Sequence, residues 1–218
     1  MKHFAIPSIL IVIGLLAVPD IWAQDARTRS FVLSEQNRHA WLFDGVAKWQ
    51  FNDSVFLVTQ NEAIASPVRR PGALALRKDS PCSGFILDLE VRCDAEPTNL
   101  RGDLVIAFGY QSPTNFHYVH LTGMVDSLHN GVYHVADSDR VRIGSLDVEP
   151  LLTDRNWHSV RLEYHDIEGT LSVFMDNDVT PGLHLENLDV PRGLFGFGSF
   201  NDTGAFRNMR LREIDPRQ

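Results

Sequence analysis

The chain of 218 residues has only two cysteines, Cys82 and Cys93. It lacks internal repeats and low-complexity stretches, and beyond its N-terminal apolar run it has no segment with a helical apolar period. It also lacks an excess of positive charge, with 20 Lys and Arg against 28 Asp and Glu. The formal net charge is −8, which excludes a nucleic-acid binder, since that class needs a basic patch to neutralise phosphates. The shortage of cysteine excludes a disulfide-stapled scaffold. Phe85, Leu87, Leu89, Val91 and Cys93 alternate with Ile86, Asp88, Glu90 and Arg92, the period of one extended strand. At about 3.3 Å per residue, that strand holds the two sulfurs about 36 Å apart, beyond disulfide reach. Cys93 falls on the apolar face and reads as a buried free thiol.

What is present begins with an export signal. Met1-Lys2-His3 precedes an apolar run from Phe4 to Val18, and Ile21-Trp22-Ala23 before Gln24 suits cleavage. The run is short for a membrane span and carries Pro7, with Pro19 just after it. The expectation is a signal peptide over 1–23, a polar lead-in over 24–39 and one domain over 40–215. The protein is then secreted, periplasmic or at the cell surface, with no stable membrane span after cleavage.

The rest of the chain is built of short alternating runs broken by Gly, Pro, Asn and Asp. They predict strands at Ala47–Phe51, Val55–Thr59, Ala73–Arg77, Phe85–Cys93, Leu104–Tyr110 and Phe116–Thr122. Further strands are predicted at Val132–Ala136, Val141–Ser145, Trp157–His165, Thr170–Asp176, Leu194–Ser199 and Phe206–Glu213. This spacing is that of an all-β sandwich. Ile167-Glu168-Gly169 is a hairpin turn with Gly at a position of positive φ. The Gly-rich run Gly193–Ser199 has no helix after it to cap a phosphate, so its glycines are read as serving close sheet packing. Trp41, Trp49 and Trp157 are read as core anchors.

Four segments in order carry a resemblance. They are Asn156-Trp157-His158-Ser159-Val160-Arg161-Leu162-Glu163, Gly169 to Asp176, Gly193 to Ser199, and Gly204 to Leu211. Together they resemble the concanavalin A-like lectin/glucanase superfamily, and within it laminin G-like domains and bacterial 3-keto-disaccharide hydrolase domains. The resemblance implies a jelly-roll β-sandwich of two antiparallel sheets. Because that fold hosts binders, hydrolases and lyases, it does not choose a function. Arg207 stands where the family has Asp in its closing strand, which puts a calcium site there in doubt. The hydrolase pattern of carboxylates, E-x-D-x-E on one strand, is missing.

The candidate site residues follow from side-chain chemistry. Tyr118 and His120 share one face of a strand, an aromatic ring with a hydrogen-bonding partner that suits a sugar, or a base and acid for β-elimination. His120, Asp126 and His129 are weighed as a metal site. Asp88 and Glu90 on one strand, and Arg161 and Glu163 on another, are polar faces that either meet solvent or line a concave surface near His120. The ligand-binding candidates are Tyr118, His120, Asp126, His129, Arg161 and Glu163. The catalytic candidates are His120, Asp88, Glu90 and Glu163. Asp44 and Asp202 are candidate oxygen ligands for Ca²⁺. Three functions remain open. The first is an exported carbohydrate-binding domain for an extracellular glycan, with a sugar-facing concave sheet. The others are a polysaccharide-degrading hydrolase or lyase and a protein-interaction module of laminin G-like type.

Overall fold

Alternation of apolar and polar residues gives strands that must bury one face each, and here two sheets bury those faces against one another. The computed structural model describes residues 28–31, 35–52, 55–79, 82–94 and 102–214. The expected signal segment 1–23 lies outside them. The strands are β1 (Thr28–Phe31), β2 (Trp41–Gly45), β3 (Lys48–Asn52), β4 (Val55–Gln60), β5 (Ala73–Arg77), β6 (Phe85–Cys93), β7 (Leu104–Ser112) and β8 (Asn115–Leu121). They continue with β9 (Gly131–Ala136), β10 (Val141–Ile143), β11 (His158–His165), β12 (Thr170–Met175), β13 (Leu183–Leu185), β14 (Leu194–Ser199) and β15 (Gly204–Glu213). Among the described residues one 3-10 turn covers Glu35–Ala40. Among the described residues no helix is long and apolar enough to cross a membrane.

The eight-stranded sheet has the order β13-β12-β11-β6-β15-β4-β3, with β1 beside the second half of β15. The seven-stranded sheet has the order β10-β9-β8-β7-β14-β5-β2. All pairings are antiparallel, and central strands take neighbours far away in sequence: β6 sits between β11 and β15, and β14 between β7 and β5. This is a jelly-roll sandwich. All twelve strands read from the alternation are present, and β1, β2 and β13 are additional. In the polar lead-in, Thr28–Phe31 pairs with Met209–Arg212 of β15, so this stretch carries a strand where a loose approach was expected.

The inter-sheet core takes Leu87, Leu89, Val91, Leu162, Leu171 and Val173 from one sheet and Ile106, Phe108, Val119, Leu121 and Phe197 from the other. At the β2–β3 end Phe56 meets Phe51 and Phe197 edge-on, with centroids 4.5 and 5.4 Å apart, and Trp41 joins at 5.3 Å. Each such pair adds about 1 kcal/mol to what area burial supplies. Cys82 and Cys93 are both buried and are not joined in a disulfide, as strand β6 between them dictates. Gly198 lets β14 lie against β5: a Cβ there would stand 1.8 Å from the carbonyl oxygen of Ala73.

A second apolar cluster covers the outer face of the seven-stranded sheet. Leu74, Leu76, Val105, Tyr118, Tyr133 and Phe200 pack there with Val68, which comes from the 61–72 segment. That segment is tied down by the Ile64–Arg70 backbone pair and by Gly72 donating to the Phe200 carbonyl. The two sheets therefore differ. The seven-stranded one is covered on both faces, and the eight-stranded one presents alternating polar residues outward.

Candidate functional site

The outer face of the eight-stranded sheet is built by register. Phe174 of β12, Arg161 of β11, Asp88 of β6 and Arg210 of β15 form one cross-strand row. Ser159, Glu90 and Arg207 form the row beside it. Period-two alternation directs these side chains away from the core residues Val160, Leu162, Leu87 and Leu89 between them. A bulge between Arg207 and Arg210 turns Asn208 (φ 55°) toward the same surface.

These rows floor a groove of about 740 Å³. Its wall is the turn after β12, where Asn177, Asp178 and Val179 rise beside the strands. Asn208 and Arg210 close the far side. The volume lies in the range of small-molecule sites. Arg161 donates from Nε to Asp88 Oδ1 at 2.6 Å and from Nη2 to Oδ2 at 3.3 Å. Its Nη1 is 3.9 Å from Glu163. Glu90 accepts from Arg207 and from Asn208 Nδ2. Burial works to raise the Glu90 carboxyl, but those two donors outweigh it and hold it below the usual carboxylate range. Phe174 is half-buried and faces outward.

Trp157 belongs to this polar side as well. It was expected in the core, yet it is half-buried, with the Arg207 guanidinium 4.0 Å and the Arg92 guanidinium 4.9 Å from its ring. Parity explains the correction. His158 pairs with Val91 on the core side, so the preceding residue must point outward with Ser159 and Arg161.

Tyr118 and His120 lie elsewhere. They are on the seven-stranded sheet, on the face opposite Val119 and Leu121, and they are buried, with Phe200 against both rings and His129 beside His120. Arg161 and Glu163 face outward from the other sheet, so no single concave face holds all four, and Asp88 and Glu90 are not near His120. The His120 ring is 1% exposed. Its Nε2 donates to Asp103 Oδ1 at 2.9 Å, and its Nδ1 lies 3.2 Å from the Leu128 carbonyl. Burial, outweighing the Asp103 carboxylate, pushes the ring's protonation below the ordinary imidazole value. Tyr118 accepts from Arg140 Nη1 at 3.1 Å, and burial pushes its phenol well up. These groups are committed to the fold.

Asp126 and His129 form a turn. Asp126 Oδ1 accepts the backbone N–H of Leu128 and of His129, and His129 Nδ1 at 2.8 Å. Arg142, which sequence reasoning did not single out, rivets this corner through the carbonyls of His129, Asn130 and Ser145 and the Tyr133 hydroxyl. Asp44 does not fit a cation as placed, because its Oδ2 already accepts from Arg70 Nη1 at 2.8 Å and from Tyr110 at 3.0 Å. Asp202 stands in the turn before β15, its backbone N–H on Ser199 Oγ. Among the described residues, no three His, Cys, Asp or Glu side chains gather in a way that could hold a metal.

Of the sequence candidates, the groove therefore brings together Asp88, Glu90, Arg161 and Glu163. It adds Phe174, Asn208, Arg210 and the Asn177–Val179 turn, which the sequence reading passed over. A signal for Phe174 existed, since it is an aromatic at the parity of Ser172 on an otherwise polar face.

The architecture matches solved structures. Against the carbohydrate binding module CBM66 from Bacillus subtilis the TM-score is 0.63 at 11% identity, over 83% of this chain and 97% of that one. The exoplasmic/lumenal domain of VIP36, in its Ca²⁺/Man2-bound form, superposes with a TM-score of 0.59 at 12% identity, over 87% and 90%. The carbohydrate recognition domain of Emp46p, in its metal-free form, gives 0.52 at 14% identity, over 85% and 97%. No protein-family model and no curated protein sequence matches the chain. At these identities the likeness establishes the fold alone, a jelly-roll β-sandwich.

Proposed function

We propose that this chain is an exported carbohydrate-binding domain and that the groove over β12, β11, β6 and β15 holds the glycan. The observation that carries this reading is the row Phe174–Arg161–Asp88 on the groove floor. An outward aromatic ring offers a surface for the C–H face of a sugar, and the paired guanidinium and carboxylate beside it offer fixed donors and acceptors for hydroxyls. Exposed ion pairs of this kind contribute only about 0–1 kcal/mol to a fold. Their presence on an open face is better explained by binding than by stability. The lining sets the carboxylates Asp88, Glu90, Glu163 and Asp178 against Arg161 and Arg210. That excess of negative charge favours a neutral, hydroxyl-rich glycan over a polyanion. Binding is preferred to hydrolysis because Asp88 is tied to Arg161 and Glu90 to Arg207 and Asn208, and those donors hold Glu90 below the range a general acid needs.

The test is retention of the mature domain on a panel of immobilised neutral and acidic polysaccharides, with the soluble fraction examined by mass spectrometry. Phe174→Ala and Arg161→Ala are each expected to weaken retention about tenfold or more, equivalent to about 1.4 kcal/mol, with the melting temperature little changed. Undiminished retention by both folded variants refutes the groove, and shortened or unsaturated products in the soluble fraction replace the binding reading with an enzymatic one. Repeating the assay with a chelator decides whether calcium takes part.

A further inference from the structure

The wall of the groove is a tight turn, closed by the Asp178 N–H donating to the Met175 carbonyl at 2.9 Å. Asp176 and Asn177 have φ of 51° and 63°, a left-handed pair that Asp and Asn tolerate better than other L-residues. Three hydrogen bonds tie the turn to β11 at its root. The Asp176 N–H donates to the Ser159 carbonyl at 2.8 Å. Asp176 Oδ1 accepts the Ser159 N–H at 3.0 Å. Asp176 Oδ2 accepts from His158 Nδ1 at 2.8 Å.

His158 faces a carboxylate on its other side too, with Nε2 donating to Asp154 Oδ1 at 2.8 Å. Only an imidazolium can donate from both nitrogens at once. The Asp154 carboxylate is itself fixed by the Asn156 backbone and side chain, so the ring links the segment before β11 to the turn after β12. The charged groups acting on the ring are Asp176 from the turn and Asp154 from that segment. From β6 it meets Val91 in register, and the next core-facing residue there, Cys93, has its thiol on the Thr203 carbonyl.

We propose that His158 is a positioning residue, whose doubly hydrogen-bonded imidazolium clamps the Asp176–Val179 turn as the groove wall and thereby makes the groove pH-dependent. The inference rests on the glycan reading for what the groove holds, but the clamp itself can be measured without a ligand. Burial opposes the charge on His158, but Asp176 and Asp154 outweigh it and raise the ring above its ordinary value of 6.5. The clamp is therefore complete below 6.5 and is lost as pH rises through the folded-state value. A neutral ring keeps one N–H, and a lone pair then faces the other carboxylate.

The experiment is a titration from about pH 5.5 to 9 of the folded domain by NMR, following the His158 ring protons together with the backbone amides of Asn177, Asp178 and Val179. The expected result is one shared midpoint above 6.5. His158→Gln removes the transition from the three amides. Asp154→Asn, which leaves Asp176 in place, moves the midpoint downward and serves as the second variant if His158→Gln fails to fold. Amides that stay flat while the ring titrates, or an Asp154→Asn midpoint that does not move, overturn the clamp. A glycan retained by the panel is expected to lose affinity by about fivefold across the same midpoint in the wild type and not in His158→Gln, and an affinity flat with pH overturns the coupling. If the panel retains nothing at any pH, the glycan reading falls while the amide titration still decides the clamp.

Discussion

The inner face of the seven-stranded sheet holds a pair of histidines that should make stability fall with acid. His117 and His134 are register partners on β8 and β9, and their rings stack with centroids 4.0 Å apart at 5°. Phe108 lies on the other side of His117 at 5.7 Å. His117 is 2% exposed, and its Nδ1 has no hydrogen-bond partner. Burial, with the neighbouring His134 adding repulsion, pushes the ring from 6.5 down to about 4. The unfolded chain therefore takes up a proton near 6.5 and the folded chain does so only near 4. Between these values the unfolded state binds more protons, so stability is present above 6.5 and is lost as pH falls. From pH 8 to pH 5 the loss from this one ring is about 2 kcal/mol, and it approaches about 3 kcal/mol below pH 4.

Other groups titrate in the same range. His134 and His120 are also lowered by burial and act in the same direction, whereas His158 is raised and acts oppositely. A substitution isolates the His117 part. His117→Phe keeps an aromatic ring between Phe108 and His134 and removes the titrating nitrogen. Urea unfolding of both proteins at pH 8 and pH 5, with equal m-values as the control, gives the difference. The expected result is a wild type that loses about 2 kcal/mol more than the variant. A difference below about 0.5 kcal/mol means that His117 accepts its proton without unfolding, and the account of a sealed neutral ring is then wrong.

Two further outcomes separate the covered sheet from the open one. His120→Ala leaves a cavity and strips the buried Asp103 carboxylate of its partner, so urea unfolding should show a loss of roughly 3 kcal/mol, with glycan retention unchanged in the folded fraction. Reduced retention at unchanged stability would return His120 to the binding site. Gly198→Ala forces a Cβ to 1.8 Å from the Ala73 carbonyl and should cost roughly 3 kcal/mol; a melting temperature within a degree or so of wild type would mean that β14 can shift off β5.

The fold was largely legible because its strands alternate. Asp88, Glu90, Arg161 and Glu163 were found by period two alone, which fixes which residues leave the core whatever the topology. The strands that escaped had no such signal. β13 has three residues, β1 is polar and is held by pairing with β15, and β2 carries an outward Leu42 that breaks its alternation. Tyr118 and His120 were assigned to the right strand but the wrong surroundings. One strand cannot report that distant residues such as Phe200 and Arg140 close over it. Its neighbour β7, however, reads Leu104-Val105-Ile106-Ala107-Phe108 without a polar break, the mark of a strand buried on both faces. That run implied a covered sheet, and a ring on its outer face was therefore committed to packing.

The contrast between the sheets locates function more firmly than any single residue does. On the covered face each polar group stands in for something water would supply: Asp103 answers His120, Arg140 answers Tyr118, and Arg142 answers a set of carbonyls. Removing one leaves its partner buried and unsatisfied, so selection for stability suffices to keep it. On the open face that reason is missing. Arg161 and Asp88 are 47% and 37% exposed, and water would satisfy either one alone. Two guanidinium–carboxylate pairs, an outward phenyl ring and an indole under two arginines nonetheless share that surface, beside a wall held in a left-handed turn. An arrangement that stability does not require, at a position a ligand can reach, is where binding has to be sought.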